Sequence, residues 1–183
     1  MASPARETDV IVIGAGPVGE NVADRAHKGG LDVVIVERDL VGGECSYSAC
    51  IPSKALLRGG AALDDAVGVQ GASSQVKGGP DPDETFARRD RFIGNLDDSG
   101  QVDWLKGAGI ELIRGHGRLV RTREVEVTGH DGTVTKLLAR HAVVIAAGTR
   151  PTMPPVDGLA AARPWTNRDS TRTREVQRRL GVL

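Results

Sequence analysis

This 183-residue sequence has few aromatic residues and few cysteines, and its formal net charge is zero. Its two cysteines are too few for the disulfide framework of a small secreted scaffold. Its 24 basic and 24 acidic side chains balance, so charge gives no reason to expect a nucleic acid or an anionic membrane as partner. No run reaches the ~20 apolar residues that a membrane-spanning helix needs. The N-terminus also shows no apolar segment behind a basic start. We therefore expect a soluble, cytoplasmic protein with one domain, or one domain and an appendage.

Short apolar runs and glycines dominate the first forty residues. Residues 9–13 and 32–36 are β-branched and apolar, which is typical of strands buried on both faces. Between them, a glycine-rich turn precedes a stretch with apolar residues at helical spacing as far as about Lys28. Strand, turn, helix and strand in this order predict a right-handed βαβ unit with parallel strands. A third buried strand is predicted over residues 141–147.

The rest of the chain is predicted to combine helices with a small antiparallel meander. Helical patterns extend over residues 45–67 and 84–106, with a mobile loop over 70–83 between them. Residues from about 110 to 138 alternate around turn signals, which predicts the meander. The fold class is therefore α/β, with a Rossmann-like parallel sheet and an antiparallel β-meander.

The turn after the first predicted strand, Gly14-Ala15-Gly16-Pro17-Val18-Gly19, matches the pattern G-x-G-x-x-G. The first glycine permits a tight turn, the second lets a pyrophosphate approach the backbone, and the third lets helix and strand pack closely. Glu37 follows at the end of the second strand, where a carboxylate accepts hydrogen bonds from ribose hydroxyls. FAD and NAD both fit this pattern, whereas a 2′-phosphate is disfavoured by the like charge. The alternative is a tight turn in an ordinary βαβ unit, with Glu37 as a solvated charge.

Cys45 and Cys50 lie at the predicted start of a helix. Five helical steps advance about 7.5 Å, which exceeds the ~7 Å limit between the Cα atoms of a disulfide. A bridge between them therefore requires a non-helical start, for which Gly42, Gly43 and Pro52 are suitable. Two buried thiols or an inert bridge are the alternatives. Zinc is disfavoured, because two thiols without a nearby histidine do not make a four-ligand site.

The segment from Gly42 to Lys54, Gly-Gly-Glu-Cys-Ser-Tyr-Ser-Ala-Cys-Ile-Pro-Ser-Lys, resembles the redox signature of the class I pyridine nucleotide–disulfide oxidoreductases. That family includes dihydrolipoamide dehydrogenase, glutathione reductase and mercuric reductase. Its usual pattern is Gly-Gly-Thr-Cys, then Leu-Asn-Val-Gly, then Cys-(Ile/Val)-Pro-Ser-Lys. Glu44 replaces the usual threonine, and residues 46–49 differ from the usual four. The differences suggest a divergent subgroup.

The resemblance implies FAD as the bound dinucleotide and NAD(P)H as the electron donor. It places the glycine turn at the pyrophosphate and Glu37 at the adenosine ribose. The segment around Gly148 resembles a second backbone contact to FAD, in which Ala147 replaces the usual threonine. The implied cofactor-binding residues are Gly14, Gly16, Pro17, Gly19, Glu37, Gly43, Ala147 and Gly148.

The resemblance also implies the roles of three catalytic residues. Cys50 is the flavin-proximal thiol, Cys45 is the interchange thiol that reacts with the outside substrate, and Lys54 lies near the reactive edge of the flavin. Electrons then pass from NAD(P)H through FAD to the Cys45–Cys50 disulfide, and on to a small-molecule disulfide, dithiol or metal substrate. A homodimer is expected for the full-length family.

The resemblance covers only the front of the family's architecture. We expect residues 1–155 to form the FAD-binding domain, and residues 156–183 to form a linker and the start of a missing NAD(P)H-binding domain. The chain is accordingly interpreted as an N-terminal fragment whose fold is incomplete relative to the family. A non-catalytic dinucleotide-binding remnant and a thiol redox sensor are the alternative functions. The four histidines are interpreted as solvated or structurally satisfied.

Overall fold

A computed structural model describes residues 5–182. Its strands are β1 (Arg6–Ile13), β2 (Val33–Glu37), β3 (Glu111–Arg114), β4 (His116–Arg121), β5 (Glu124–Thr128) and β6 (Val134–Ile145). Its α-helices are α1 (Pro17–Lys28), α2 (Gly43–Tyr47), α3 (Cys50–Val67), α4 (Pro82–Phe92), α5 (Ser99–Gly107), α6 (Leu159–Ala162) and α7 (Asn167–Arg172). Two short 3₁₀ turns lie at Ser73–Gln75 and Gly94–Leu96.

The strands form one six-stranded sheet in the order β3-β2-β1-β6-β5-β4. β1 pairs in parallel with both β2 and β6, and β2 pairs in parallel with β3. β4, β5 and β6 are antiparallel neighbours. The predicted βαβ unit, the parallel sheet and the antiparallel meander are therefore confirmed.

β6 joins two features that were expected to be separate. Val134–Ile145 is one strand whose first half pairs with β5 and whose second half pairs with β1. The strand continues because Leu137 and Ala139 are buried side by side in the sheet's alternation, with no turn residue after them. The meander also begins later than expected, at β4, because β3 pairs in parallel with β2. The expectation of a buried strand over residues 141–147 is wrong, because every residue of that range is half-buried or exposed and the strand ends at Ile145.

Each of the two long predicted helices is divided in the structure. The first stops at Tyr47 and begins again at Cys50, with Ala49 in a non-helical conformation between them. The second is interrupted between Phe92 and Ser99, where Asn95 has a positive φ of 53°. The spacing of apolar residues predicts which residues are helical. It does not predict these breaks, because they depend on backbone φ and ψ angles.

The chain divides into two compact units, each with its own packing. The sheet unit comprises residues 1–45 and 97–149, and the helical unit comprises residues 46–96 and 150–183. In the sheet unit, alternate residues of β1 and β2 point to opposite faces. One face packs Val12 and Ile35 against α1 and α5, and the other packs Ile11 and Val34 against the meander. The core of the sheet unit thus places the carboxyl ends of β1 and β2 beside each other.

Candidate cofactor and thiol sites

The turn between β1 and α1 is shaped by two glycines that admit no side chain. Gly14 has a φ of +105°, and a Cβ built on it would lie 2.3 Å from the backbone oxygen of Ala146. A Cβ on Gly19 would lie 1.9 Å from the backbone oxygen of Gly14. The first and third glycines therefore allow the tight turn and the close packing that the pattern predicted.

Gly16 has a different environment. The nearest atom to a Cβ built there is the Gly43 Cα, 4.0 Å away, so the backbone is open to an incoming group. Gly16 caps α1 without a side-chain hydrogen bond, and Pro17 occupies the first helical turn. The first N–H groups of a helix have no intrahelical acceptor and attract anions. This cradle fits a pyrophosphate.

Glu37 joins the end of β2 to the glycine turn. One carboxylate oxygen accepts a hydrogen bond from the Ala15 N–H at 2.7 Å, and the other accepts one from the Asp39 N–H at 2.8 Å. A carboxylate has about four acceptor positions, so capacity remains for ribose hydroxyls. Glu37 is therefore half-buried and held in place rather than freely solvated.

A cavity of about 150 Å³ adjoins Glu37 at the carboxyl ends of β1 and β2. This edge is where open α/β sheets bind their ligands. The cavity is lined by Ile13, Gly14, Val36, Glu37, Arg38, Gly115, His116, Gly117 and Ala147. Glu37 and Ala147 therefore share the cavity with a segment that the sequence did not single out.

The missed segment is Gly115-His116-Gly117, at the junction of β3 and β4. A Cβ on Gly117 would lie 3.1 Å from Val36 and 3.2 Å from Ile13, so this backbone packs tightly against the ends of β1 and β2. Two glycines flanking one residue before an apolar run were the available signal. His116 is thus a cavity-lining residue, in addition to being solvent-exposed as predicted.

The end of β6 reaches the glycine turn through one backbone hydrogen bond. The Ala146 N–H donates to the Ile13 carbonyl at 2.8 Å, and Ala147 lines the cavity. Gly148 has a φ of +69° and is exposed, and it does not line the cavity. The structure thus brings Ala147, but not Gly148, to the other predicted cofactor residues.

The segment before α2 is tied to the same turn. The Gly42 N–H donates to the Ala15 carbonyl at 2.7 Å, and a Cβ on Gly43 would lie 2.7 Å from the Gly16 Cα. Asp98 fixes this segment from a distance, because its carboxylate accepts hydrogen bonds from the Val41 N–H at 2.7 Å and from Arg114 at 2.5 Å. No local signal in the sequence pointed to Asp98.

The two cysteines and the lysine of the redox-like motif lie in α2 and α3. Cys45 is half-buried in α2, and Cys50 is exposed as the first residue of α3. Both are thiols in the structure. Lys54 is exposed on α3, four residues after Cys50 and so on the same helix face. The non-helical break that a disulfide between the cysteines would require is present at Ser48 and Ala49.

Residues 5–182 contain neither a metal-binding cluster nor a membrane-spanning helix. Over that range, no three His, Cys, Asp or Glu side chains are grouped so that they would hold a metal ion. No described helix combines the length and apolar character needed to cross a membrane.

Comparison with known proteins places the chain in a family. The family model described as pyridine nucleotide-disulphide oxidoreductase matches residues 8–183. The chain belongs to this family. Membership implies FAD as the cofactor. The open backbone at Gly16 and the carboxylate of Glu37 fit that cofactor.

Curated relatives include enzymes with different substrates. Mercuric reductase from Staphylococcus aureus is 28% identical over 180 residues, covering 96% of this chain and 31% of that protein. Dihydrolipoyl dehydrogenase from Thermus scotoductus is 35% identical over 170 residues, covering 92% of this chain and 34% of that protein. The chain therefore spans about a third of the length of these relatives.

A solved structure shows the same fold. The HOCl-induced flavoprotein disulfide reductase RclA from Escherichia coli, solved as a Cu(II) complex, superposes with a TM-score of 0.74. The match covers 93% of this chain and 35% of that one, at 18% sequence identity. The α/β architecture described above is therefore shared with about a third of that solved chain.

Proposed function

We propose that this chain is the FAD-binding and dithiol-bearing part of an oxidoreductase that reduces a small-molecule disulfide or a metal substrate. The glycine turn binds the pyrophosphate of FAD, and Glu37 binds the adenosine ribose. Cys45 and Cys50 form the redox pair, and Lys54 supports the reaction beside them. The proposed location is the cytoplasm, and the proposed assembly of the full-length protein is a homodimer.

One observation carries the cofactor part of the proposal. The Ala15 N–H and the Glu37 carboxylate are joined at 2.7 Å, beside the open backbone of Gly16. This arrangement aligns a phosphate cradle with a ribose acceptor before any ligand arrives. We assign residues 1–155 to the FAD-binding domain and residues 156–183 to a linker and the start of an NAD(P)H-binding domain.

The motif assigns a different role to each of the two thiols. Bound FAD would supply two-electron transfer between NAD(P)H and the cysteine pair. Cys50 is the exposed first residue of α3, and it is assigned to exchange electrons with the flavin. Cys45 is assigned to exchange with the outside substrate. A dithiol, a disulfide or a thiophilic metal ion are the substrate classes that suit this chemistry.

FAD binding by the 183-residue chain is the first test. The purified chain is titrated with FAD while flavin fluorescence is followed, and the same titration is made with a Gly16→Val variant. We expect saturable quenching with the wild-type chain and at least tenfold weaker binding with the variant, because the valine side chain fills the open cradle. Absence of binding at micromolar FAD would contradict the proposal for this chain.

The thiol assignment has its own test. The FAD-loaded chain is reduced by two electrons, and its absorbance is recorded beyond the flavin bands. We expect a long-wavelength band in the two-electron-reduced wild type, where the disulfide takes up the electrons and the flavin stays oxidised. Cys45→Ser has no disulfide to accept electrons, so it should show the band before reduction, and Cys50→Ser should show no band in either state. Retention of the band in Cys50→Ser would overturn the roles of the two cysteines.

The exposure of Cys50 favours a second candidate, a thiol redox sensor that works without flavin. In that case the chain would bind neither FAD nor NAD, and the two thiols would titrate near the cytosolic glutathione potential. A chain that binds a dinucleotide but whose thiols stay reduced across that range would instead be a non-catalytic dinucleotide-binding remnant. The FAD titration and a thiol titration in glutathione buffers separate these candidates.

A further inference from the structure

Ser48 lies between the two cysteines and is almost fully buried, with 1% of its surface exposed. Its carbonyl accepts a hydrogen bond from Asn167 Nδ2 at 3.2 Å. It also lies 3.1 Å from Thr171 Oγ1, whose single proton is shared between the Ser48 carbonyl and the Asn167 carbonyl at 2.9 Å. Its hydroxyl accepts one from Arg172 Nη2 at 3.1 Å. A carbonyl oxygen has two lone pairs, so the Ser48 carbonyl can accept from both Asn167 and Thr171. All three donors come from the single helix α7.

α7 is itself anchored within the helical unit. A helix of six residues is marginal alone, and this one begins with a capping box formed by Thr166 and Asp169. The buried Arg89 of α4 donates to the backbone oxygens of Thr171 at 2.5 Å and Thr173 at 2.9 Å. The contacts therefore lead from α4 through α7 to Ser48, two residues before Cys50.

These contacts hold a break in the helix where the redox pair needs one. A continuous helix through Ser48 would separate the Cα atoms of Cys45 and Cys50 by about 7.5 Å along the axis, beyond the ~7 Å limit of a disulfide. Ala49 makes no side-chain cap for α3, so nothing in its own side chain fixes this break. The buried bonds to Ser48 supply the fixation from another part of the chain.

We infer that α7 is the positioning element of the Cys45–Cys50 pair, with Thr171 and Arg172 acting through Ser48. This inference rests on the proposed redox role of the two cysteines. The motif comparison adds to it, because Ser48 stands where the family's usual sequence has valine, which has no hydroxyl for an arginine. The bond from Arg172 is therefore available to this chain through its own substitution.

The experiment measures how easily the disulfide forms. The 183-residue chain is equilibrated with oxidised and reduced glutathione, and its remaining thiols are counted. One oxidised glutathione takes two electrons and two protons from the Cys45 and Cys50 thiols as their S–S bond forms, and it leaves as two reduced glutathione molecules. The variants are Thr171→Val, Arg172→Met and the double variant.

We expect the double variant to close the disulfide about tenfold less readily than the wild type. A tenfold change corresponds to a midpoint potential about 30 mV less negative. Thr171→Ser keeps the hydroxyl, so this single variant should have the same dithiol–disulfide equilibrium as the wild type. Thr173→Val is the matched control, because it removes a hydroxyl from the same segment that bonds only to the Glu175 backbone.

Circular dichroism confirms that each variant remains folded, and Arg172→Met alone serves if Thr171→Val unfolds. The inference is overturned if folded Thr171→Val/Arg172→Met matches the wild type within twofold, or if Thr173→Val shifts the equilibrium as much. Either result leaves the redox pair itself intact. A wild-type chain that never closes a Cys45–Cys50 disulfide would contradict the proposed function, and the inference with it.

Discussion

The Glu37 carboxylate accepts a hydrogen bond from the Ala15 N–H at 2.7 Å, across 22 residues of sequence. The bond ties the acid at the end of β2 to the glycine turn that follows β1. A single side chain thus helps to shape the turn and provides the acceptor for the proposed ribose. The two roles can be separated by substitution.

Glu37→Gln should weaken FAD binding and destabilise the turn. The amide retains one acceptor oxygen but loses the negative charge, and hydrogen bonds to charged groups contribute about 1.5–3 kcal/mol. We expect FAD to bind at least tenfold less tightly, measured by fluorescence titration. Glu124→Gln is the control, since Glu124 is half-buried like Glu37 but lies in the meander, where its ion-pair partner within residues 5–182 is Arg121 at 3.7 Å. Equal affinity of Glu37→Gln and the control would remove Glu37 from the site.

Gly19→Ala should be among the most damaging small substitutions in the sheet unit. Its Cβ would lie 1.9 Å from the Gly14 carbonyl oxygen, and neither backbone segment can yield without opening the turn. We expect about 3 kcal/mol of destabilisation, measured by urea unfolding. Gly100→Ala is the matched control, because it lies in α5 with nothing within 4 Å. There the same change should stabilise by about 0.5–1 kcal/mol, and an equal loss at both positions would contradict the packing argument.

The contribution of Glu20 to stability should fall as pH rises, whereas that of a paired carboxylate falls as pH drops. Burial raises the pKa of Glu20 above its ordinary value of 4.5, and its Oε1 has no hydrogen-bond partner among residues 5–182. The folded state therefore favours the protonated form. Its contribution to stability is full below pH 4.5 and is lost as pH rises through the folded pKa. We expect Glu20→Gln to raise stability at pH 7 and to have less effect at pH 4.

Asp9 provides the opposite case for comparison. Its hydrogen bond from Arg140 at 2.7 Å, with a further bond to the backbone of Asp32, holds the pKa of Asp9 below its ordinary value of 3.8. Its contribution is present above pH 3.8 and is lost as pH falls through the folded pKa. Asp9→Asn should therefore lower stability at pH 7, where Glu20→Gln raises it. Unfolding midpoints measured from pH 3 to pH 7 test both signs, and shifts of the same sign at pH 7 would contradict this account.

Local signals explain how much of the fold the sequence predicted. β1, the glycine turn, α1 and β2 follow one another, and each carries its own pattern of apolar residues or glycines. α1 ends at Lys28 as expected. The continuity of β6 was not predicted, because pairing with β1 and β5 in one strand depends on partners far away in sequence. The helix break before Cys50 was expected only as a condition for a disulfide.

Side-chain contacts between distant segments account for what the sequence did not predict. Thr171 reaches the Ser48 carbonyl from 123 residues away, and Asp98 holds the Val41 N–H from 57 residues away. Threonine and aspartate are both common polar residues, so neither one stands out in the sequence. Only the folded backbone shows that each meets an N–H or carbonyl near the site. The residues that contact a cofactor were thus easier to predict than those that position the backbone.

Arg89 is the strongest example of such a positioning side chain. It is 1% exposed, donates to the backbone oxygens of Thr171 and Thr173, and pairs with Asp90 at 2.8 Å. Its guanidinium also lies 5.4 Å from the Phe86 ring centre. A lysine at this position has a single ammonium in place of the planar fork of donors. Arg89→Lys therefore leaves buried acceptors without their partners.

We expect Arg89→Lys to destabilise the chain by about 3 kcal/mol, because breaking a buried charged network leaves uncompensated groups. Urea unfolding followed by circular dichroism measures the loss. Arg91→Lys is the control, since Arg91 is two residues away on the same helix and exposed, and it should change stability by less than about 0.5 kcal/mol. If α7 depends on this arginine, amide exchange in Asn167–Arg172 should accelerate in Arg89→Lys before exchange in the central strands does. Equal acceleration in β1 and α7 would show that Arg89 contributes to general stability and does not specifically hold α7.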